Sequence, residues 1–379
     1  MTHKKNKRVV VAMSGGVDSS VAAALLVEQG YEVIGMMMRL WSEPGIGSQA
    51  PVNRCCTPDQ MADARRIADL LDIPFYVVDT QKYFRRTIVQ FFIDEHALGR
   101  TPNPCIECNR QIRFNWLLNQ ALALEADFLA TGHYARVHHT ETGYQLLKGV
   151  DEDKDQSYVL HMLTQEQLAH VLFPVGEYTK SAVRELAVRF GLPVASKQES
   201  QDLCFLGDGD YRRFLRQYSP EASRPGPILD LNGQELGQHE GLAFYTIGQR
   251  KGLGIAVNEP VYVLRKDVQR NALIVGPRTA LGQRTLYARD VNWIAGNPPE
   301  ASIRAAVKIR YKARPMLATI TVTGNGRIRA DFDQPVYGIT PGQAAVFYNN
   351  DICLGGGIIT NPQPDSTNTS NNARSTQTP

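Results

Sequence analysis

The amino-acid sequence predicts a multidomain chain of α/β plus β class: an N-terminal doubly wound parallel-sheet domain, a small central domain and a C-terminal β-barrel. Three observations predict it. At 379 residues the chain exceeds one ordinary domain. Over residues 1–210 short apolar runs alternate with segments of helical periodicity, the pattern of a mostly parallel sheet with helices on both faces. Beyond residue 225 the texture changes to short alternating runs separated by Gly and Pro turns, an all-β pattern. The boundaries that follow are 1–210 for the N-terminal domain, 211–282 for a central linking domain and 283–360 for the barrel. Residues 361–379 lack apolar content and are expected to be disordered.

In order along the chain, "VVVA" (Val9–Ala12) reads as a short buried strand and Ser19–Glu28 as a helix packed on a sheet. "YEVIGMMM" and "PFYVVD" are the next strands, with a helix in "DARRIADLLDI" between them. Helices through "YFRRTIVQFFIDEHALG" and "RFNWLLNQALALEA" and a strand in "DFLATGHYA" follow. The helix in "KSAVRELAVRFGL" closes the domain, with Gly191 as its cap. The later strands are "YVLRKD", "ALIVG", "TLYARDVNWI", "SIRAAVKIRYK", "ATITVTG", "RIRADFD", "QAAVFY" and "GGGII". Ligands of such a parallel sheet sit at the carboxyl ends of its strands. Met38 and Gly132-His133 should therefore meet the first loop there.

That loop, "SGGVDS", must turn sharply. Gly15 and Gly16 permit positive φ and close approach to a ligand, and the helix that follows offers unpaired N–H groups and a positive dipole end. Neither a Walker string, GxxxxGK[ST], nor a GxGxxG fingerprint after this strand is present. In their place stand Ser14, Ser19 and Ser20 as phosphate donors and Asp18 as a candidate Mg2+ ligand, a set suited to holding pyrophosphate as a leaving group. In these residues the chain resembles the PP-loop ATP pyrophosphatases, of adenine nucleotide alpha hydrolase-like fold. The resemblance implies cleavage of ATP to AMP and pyrophosphate with adenylation of a carbonyl oxygen.

Hydrophobic residues make up 43% of the chain, enough for real cores. No apolar run reaches the roughly 18 residues of a membrane span. The N-terminus "MTHKKNKRVVV" enters a strand without an apolar leader region, so a cytoplasmic protein with no membrane contact is expected. The net charge of +3 is unevenly divided. Residues 1–210 hold 21 Lys and Arg against 26 Asp and Glu, whereas 211–360 hold 19 against 11. A polyanion is the expected partner of the second half.

Six cysteines are too few for a disulfide scaffold, and their grouping as Cys55/Cys56, Cys105/Cys108, Cys204 and Cys353 suggests chemistry at some of them. "GRTPNPCIECNRQIRF" sets Cys105 and Cys108 between a proline-stiffened turn and a helix, where free N–H groups and the dipole favour thiolate. Arg110 and Arg113 add positive potential. Cys204 lies in the polar stretch "SKQESQDLCFLGDGDY", expected to fold over the nucleotide. A zinc site, a redox pair and a sulfur-transfer pair compete with inert thiols. Zinc lacks a fourth ligand at finger spacing, and a thioredoxin-type pair has no use for a pyrophosphate loop. Sulfur transfer uses every part: ATP activates a carbonyl oxygen, a persulfide delivers sulfur, and a second thiolate resolves the chemistry by forming a disulfide.

The strings "AMSGGVDSS", "GMMMRLW", "TPNPCIECNRQIRF", "LATGHYAR", "DEDKDQSYVL", "SQDLCFLGDGDY", "TIGQRKGLGI", "KIRY" and "TPGQAAVFY" together are similar to the bacterial tRNA-specific 2-thiouridylases over residues 7–360. The resemblance implies that the wobble uridine, position 34, of tRNA(Lys), tRNA(Glu) and tRNA(Gln) is adenylated at O2 and then thiolated. ATP, Mg2+ and a persulfide donor such as a cysteine desulfurase or relay protein are the implied co-reactants. Cys108 matches the family's nucleophile and Cys204 its persulfide carrier, paired in a transient Cys108–Cys204 disulfide. Ala12, Met13, Ser14, Gly15, Gly16, Val17, Asp18, Ser19, Met38 and Gly132 match its ATP site, and Asn103, Pro104 and Cys105 its target-base contact. Its tRNA contacts fall on Lys154, Asp155, Gln156, Arg310 and Tyr311, with His133 and Gln343 as further contact sites. Many members carry Asp where this chain has Cys105. An iron–sulfur cluster held by Cys105, Cys108 and Cys204 is thus the alternative to the favoured persulfide route.

Within "SIRAAVKIRYKAR", Arg304, Lys308, Arg310, Lys312 and Arg314 occupy alternate positions, which a strand would place on one face. That face is expected to meet RNA phosphate. Two rivals remain: a PP-loop synthetase or amidotransferase, which has no use for Cys108 and Cys204, and a non-enzymatic RNA-binding protein, against which the intact "SGGVDS" argues.

Overall fold

The computed structural model describes residues 7–43, 57–197 and 203–361. Cys55, Cys56 and the expected tail from residue 362 lie outside the described residues. The first domain is built on a five-stranded parallel sheet. Its strands are β1 (Arg8–Ala12), β2 (Glu32–Arg39), β3 (Phe75–Asp79), β4 (Phe128–Ala130) and, after the hairpin β5 (Ala135–Thr140) and β6 (Gly143–Lys148), β7 (Val171–Leu172), in the order β3-β2-β1-β4-β7. Val9, Val10 and Val11 are fully buried, as a central strand covered on both faces requires. Helix α1 (Val17–Glu28) follows β1, and α2 (Pro58–Leu70), opened by a Thr57/Gln60 capping box, precedes β3.

Two longer helices are each wound in three successive stretches with a π-helical middle: Gln81–Phe84, Arg85–Val89 and Gln90–Ala97, then Pro104–Cys108, Asn109–Leu117 and Leu118–Ala123. The second starts at Pro104, ahead of the expected start, so the two thiols of the CxxC stretch lie inside the helix. Lys180–Arg189 forms the closing helix, and Gly191 takes φ +64 behind it. The β5–β6 hairpin leaves the parallel sheet altogether, a feature not expected from the sequence.

The central domain is a four-stranded sheet of β8 (Gly226–Leu229), β9 (Glu235–His239), β10 (Tyr262–Asp267) and β11 (Ala272–Gly276), in the order β10-β11-β8-β9. The last unit contains β12 (Gly282–Trp293), β13 (Ser302–Lys308), β14 (Met316–Gly324), β15 (Arg327–Tyr337), β16 (Ala344–Asn349) and β17 (Ile352–Thr360). A β12–β17 pairing closes these six antiparallel strands into a barrel. Strand β6 then pairs with the outside edge of β17, Leu147 opposite Ile352 and Leu146 opposite Cys353. The first domain therefore contributes a hairpin to the barrel sheet.

Two shared cores fix the domains against each other. One joins Val10, Ile106 and Tyr158 to Val346, Tyr348 and Cys353 of the barrel. The other joins Leu40, Phe92 and Cys108 to Phe205, Phe214, Phe244 and Leu273, and so seats the central domain on the CxxC helix. Both are apolar contacts contiguous with the domain interiors, which makes rigid association the expectation.

The basic strand needs correction. Alternation holds as far as Lys308, where β13 ends, with Ala305 and Val307 buried. Arg304 forms a two-pronged ion pair with Asp333, at 2.8 and 2.7 Å. Lys308 lies half-buried with its ammonium 5.9 Å from the Tyr158 ring and 5.7 Å from the Tyr311 ring, and Arg310 turns inward. The five cations do not form one face, because the chain leaves the strand and two of them find partners inside.

Candidate active site

The turn between β1 and α1 is fixed by its own hydroxyls. Ser14 N donates to Ser19 Oγ at 3.1 Å, the Ser14 and Ser19 hydroxyls lie 3.2 Å apart, and Ser20 Oγ donates to Gly16 O at 2.7 Å. Ser20 is fully buried. Its hydroxyl holds the turn rather than a phosphate, a correction to the expected donor set. Gly15 takes φ +70, and a Cβ there would run into the Gln60 carbonyl. Gly132, just past the end of β4, lies so close to the loop that a Cβ would stand 2.7 Å from Ser19 N and 2.8 Å from Asp18 C. Ala12, Met13, Gly16 and Val17 form the strand end and helix start around these residues, and Met38 lies toward the end of neighbouring β2, packed against both shared cores. Every residue matched to the ATP site except Met38 thus lies within this loop or against it.

Asp18 is held in a way the sequence did not reveal. Tyr134 Oη donates to Asp18 Oδ1 at 2.7 Å and Lys180 Nζ to the same oxygen at 2.6 Å. Lys197 Nζ contacts Gly15 O at 3.0 Å and Asp63 Oδ2 at 2.8 Å. The only hint in the sequence is indirect: a phosphate loop without its own lysine needs cations from elsewhere.

His133 bonds Thr131 Oγ1 through Nδ1 at 2.7 Å and packs against Phe114 and Phe173. Burial, aided by the Arg113 charge, pushes its imidazole down to about 3, so it is neutral at physiological pH. The Lys154–Gln156 segment is tied to the same region. Asp155 is buried and accepts from Gly149 N, Ser157 N and Ser157 Oγ at 3.2, 3.0 and 2.9 Å. Gln156 Oε1 accepts from Tyr134 N at 3.0 Å while Gln156 N donates to Tyr134 O at 2.8 Å. Asp151 accepts from Lys154 N at 3.2 Å and from Lys180 N at 2.8 Å. Gln156 thus bonds Tyr134 directly, and Asp151 links Lys154 to Lys180; Tyr134 and Lys180 are the two residues whose side chains hold Asp18.

Asn103 caps the CxxC helix, its Oδ1 accepting from Cys105 N at 3.1 Å, and Pro104 opens the first turn. Cys105 is exposed and Cys108 buried. Cys204, distant in sequence, is half-buried and packs against the apolar cluster that contains Cys108. The next residue anchors its loop: Phe205 is buried with its ring 5.3 Å from Phe92, 5.6 Å from Phe214 and 6.2 Å from Phe84. Arg213 clamps the far end, its guanidinium 2.6 Å from the buried Glu43 carboxylate and 2.7 Å from Asp208. Among the described residues no three His, Cys, Asp or Glu side chains gather as a metal-holding group. Cys105, Cys108 and Cys204 as placed do not form such a group. Cys353 lies in the core shared by the first domain and the barrel, where burial pushes its thiol up to about 12, an inert position.

On the barrel side, Gln343 Nε2 donates to Thr101 O at 2.7 Å, and Arg310 Nη2 donates to Ile247 O, Gly338 O and Thr340 Oγ1 at 2.8, 2.7 and 2.7 Å. The Tyr311 ring meets Tyr158 at 6.0 Å. A cleft of about 330 Å3 separates the CxxC helix, through Arg110, Gln111 and Asn115, from Asp290 and Asn292 of the barrel. A larger hollow of about 510 Å3 lies in the central domain among Arg216, Ser223 and Glu240 and includes none of the expected site residues. Among the described residues no helix is long and apolar enough to cross a membrane.

Comparison with known proteins matches residues 7–208 to the family described as tRNA methyl transferase HUP domain, 212–277 to its PRC-barrel domain and 283–359 to an aminomethyltransferase beta-barrel domain. The chain is 52% identical over 355 residues to the tRNA-specific 2-thiouridylase MnmA of Moorella thermoacetica, covering 92% of this chain and 98% of that one. It is 52% identical over 357 residues to the protein of the same name from Magnetococcus marinus, at 93% and 99% coverage, and 48% identical over 368 residues to that of Roseiflexus castenholzii, also at 93% and 99%. With such identity sustained through all three domains, the chain belongs to the tRNA-specific 2-thiouridylase family.

Proposed function

We propose that this protein thiolates the wobble uridine, position 34, of tRNA(Lys), tRNA(Glu) and tRNA(Gln) at C2. ATP binds over the Ser14–Ser19 loop, where the glycine turn and the start of α1 present N–H groups to its phosphates. Tyr134 and Lys180 occupy Asp18 Oδ1, so Asp18 would hold Mg2+ through its other oxygen beside phosphate oxygens and waters, and the ion would supply charge neutralisation there. Uridine O2 attacks the α-phosphorus, pyrophosphate leaves, and O2 carries AMP. A persulfide on Cys204 then attacks C2 through its outer sulfur. Cys108 thiolate attacks Cys204 Sγ and breaks the S–S bond. The electron pair returns to the transferred sulfur, C2=S forms, AMP departs, and a Cys108–Cys204 disulfide remains for an external thiol to reduce. The persulfide itself is renewed by a separate sulfur donor, a cysteine desulfurase or relay protein.

The observation that carries this reading is the convergence of Cys108 and Cys204 on one apolar cluster. A dry setting protects a persulfide and an adenylate from water. On this reading Asn103 and Cys105, at the start of the same helix, contact the base, and the bond from Gln343 of the barrel to Thr101 O just before them supports it. The test is nucleoside analysis of tRNA after reaction with ATP and a persulfide donor. Thiouridine is expected with the wild type and none with Cys108→Ser or Cys204→Ser, both of which keep tRNA affinity. Undiminished thiolation by either variant would refute the relay.

A further inference from the structure

A Walker loop meets the charge of its nucleotide with a lysine of its own; residues 14–19 contain none. Two lysines reach the loop from later in the chain, and they are not equivalent. Lys197 sits between Gly15 O and Asp63, so its charge is matched by a carboxylate outside the loop and its contact fixes the loop's backbone. Lys180 reaches Asp18 in the first turn of α1, on the side where Gly132 presses against Asp18 and Ser19. The turn itself is already held by Ser14, Ser19 and Ser20. The Lys180 side chain is 12% exposed and that of Asp18 31%, and a partly buried ion pair of this kind is weak evidence for a purely stabilising role.

The position of Lys180 is also set with care. Thr179 Oγ1 caps its helix by accepting from Ala182 N at 3.3 Å, and Asp151 accepts its backbone N–H. Its ammonium lies 5.8 Å from the Tyr134 ring, whose hydroxyl shares Asp18 Oδ1.

We propose that Lys180 is the cation that binds the β-phosphate of ATP and takes up the charge of the departing pyrophosphate, with Asp18 and Tyr134 steadying its ammonium. The inference rests on the reading of Ser14–Ser19 as an ATP loop. In this step uridine O2 bonds to the α-phosphorus as the bond from that phosphorus to the bridging oxygen breaks. The electron pair leaves with pyrophosphate, and Lys180 stays protonated throughout.

The experiment measures AMP and pyrophosphate formation with substrate tRNA. Lys180→Gln keeps a donor toward Asp18 and removes the charge; Lys180→Arg keeps the charge. Loss of one such group lowers kcat by roughly 100-fold or more, so K180Q should fall by about that factor, with the KM for tRNA and the melting temperature close to wild type. K180R should recover most of the loss. A folded K180Q with wild-type kcat would overturn the inference. Should K180Q not fold, acylation of the wild type by acetic anhydride gives a second readout: inorganic pyrophosphate with Mg2+ should slow modification of Lys180 severalfold, and an unchanged rate would overturn it equally. If the wild type itself releases no AMP and pyrophosphate, the ATP reading fails and takes this inference with it. Release by the wild type with an unimpaired K180Q removes Lys180 alone.

Discussion

The side-chain amide of Gln343 donates to the carbonyl of Thr101 at 2.7 Å, and so a barrel residue positions the segment that leads into Asn103 and the CxxC helix. Thr101 N donates to Pro341 O at 3.0 Å from the same turn. Between these bonds Gly342 takes φ +92, and a Cβ on it would stand 3.0 Å from both Thr101 N and Thr101 O. Gln343→Ala should cost about 1 kcal/mol of stability. It should raise the KM for tRNA and leave the KM for ATP unchanged, in a steady-state thiolation assay. A rise in the ATP term alone would contradict the proposed role of this segment at the base.

Arg310 ties the central domain to the barrel through Ile247 O, Gly338 O and Thr340 Oγ1. Arg310→Ala removes the guanidinium from all three acceptors, of which Gly338 O keeps the Thr340 hydroxyl at 2.9 Å, and should destabilise the protein by about 2–4 kcal/mol in urea unfolding. Arg304→Ala breaks a solvent-exposed pair with Asp333 and a bond to Thr319 Oγ1 and should cost far less than Arg310→Ala, because solvent screens an exposed pair. Equal losses would contradict the inward placement of Arg310.

His96 and His161 are buried, and burial is the main cause that pushes them down to about 3 and about 4. The unfolded chain takes up these protons near 6.5, so below that pH it binds more protons than the folded state. Stability should therefore fall as pH drops from 6.5 toward 4, by about 1.4 kcal/mol per pH unit for each histidine, and be insensitive to both above pH 7. Thermal unfolding from pH 8 to pH 4 checks it. His96→Phe, which keeps the ring packing on Phe92, should remove one share of the slope.

Lys266 of β10 buries its ammonium with no hydrogen-bond partner among the described residues, and burial pulls it down to about 7. Lys266→Met keeps the length and removes the orphaned amine. It should raise stability by about 1–3 kcal/mol at pH 7; a loss would show that the amine is satisfied.

What the sequence disclosed was local. The β1 turn, the strands of the barrel and the Pro104 helix start are written in consecutive residues whose steric and capping preferences act within a few positions. Lys180 reaching Asp18, Cys204 joining the Cys108 cluster, and Leu146 pairing with Cys353 are long-range consequences of topology, and no local pattern encodes them. The Cys108–Cys204 relay is implied by family resemblance and not by spacing. The basic strand misled because alternation shows which residues share a face only while the strand lasts; at Lys308 it ends, and the Asp333 that neutralises Arg304 comes from β15.

The most direct measurement is product stoichiometry in one reaction: purified protein, ATP, a persulfide donor and unmodified tRNA(Lys), with 2-thiouridine, AMP and pyrophosphate quantified together. One of each per modified tRNA is predicted, with a Cys108–Cys204 disulfide detected by mass spectrometry when the external reductant is withheld. Formation of ADP, or thiouridine made by iron-loaded protein alone and never by iron-free protein, would contradict it.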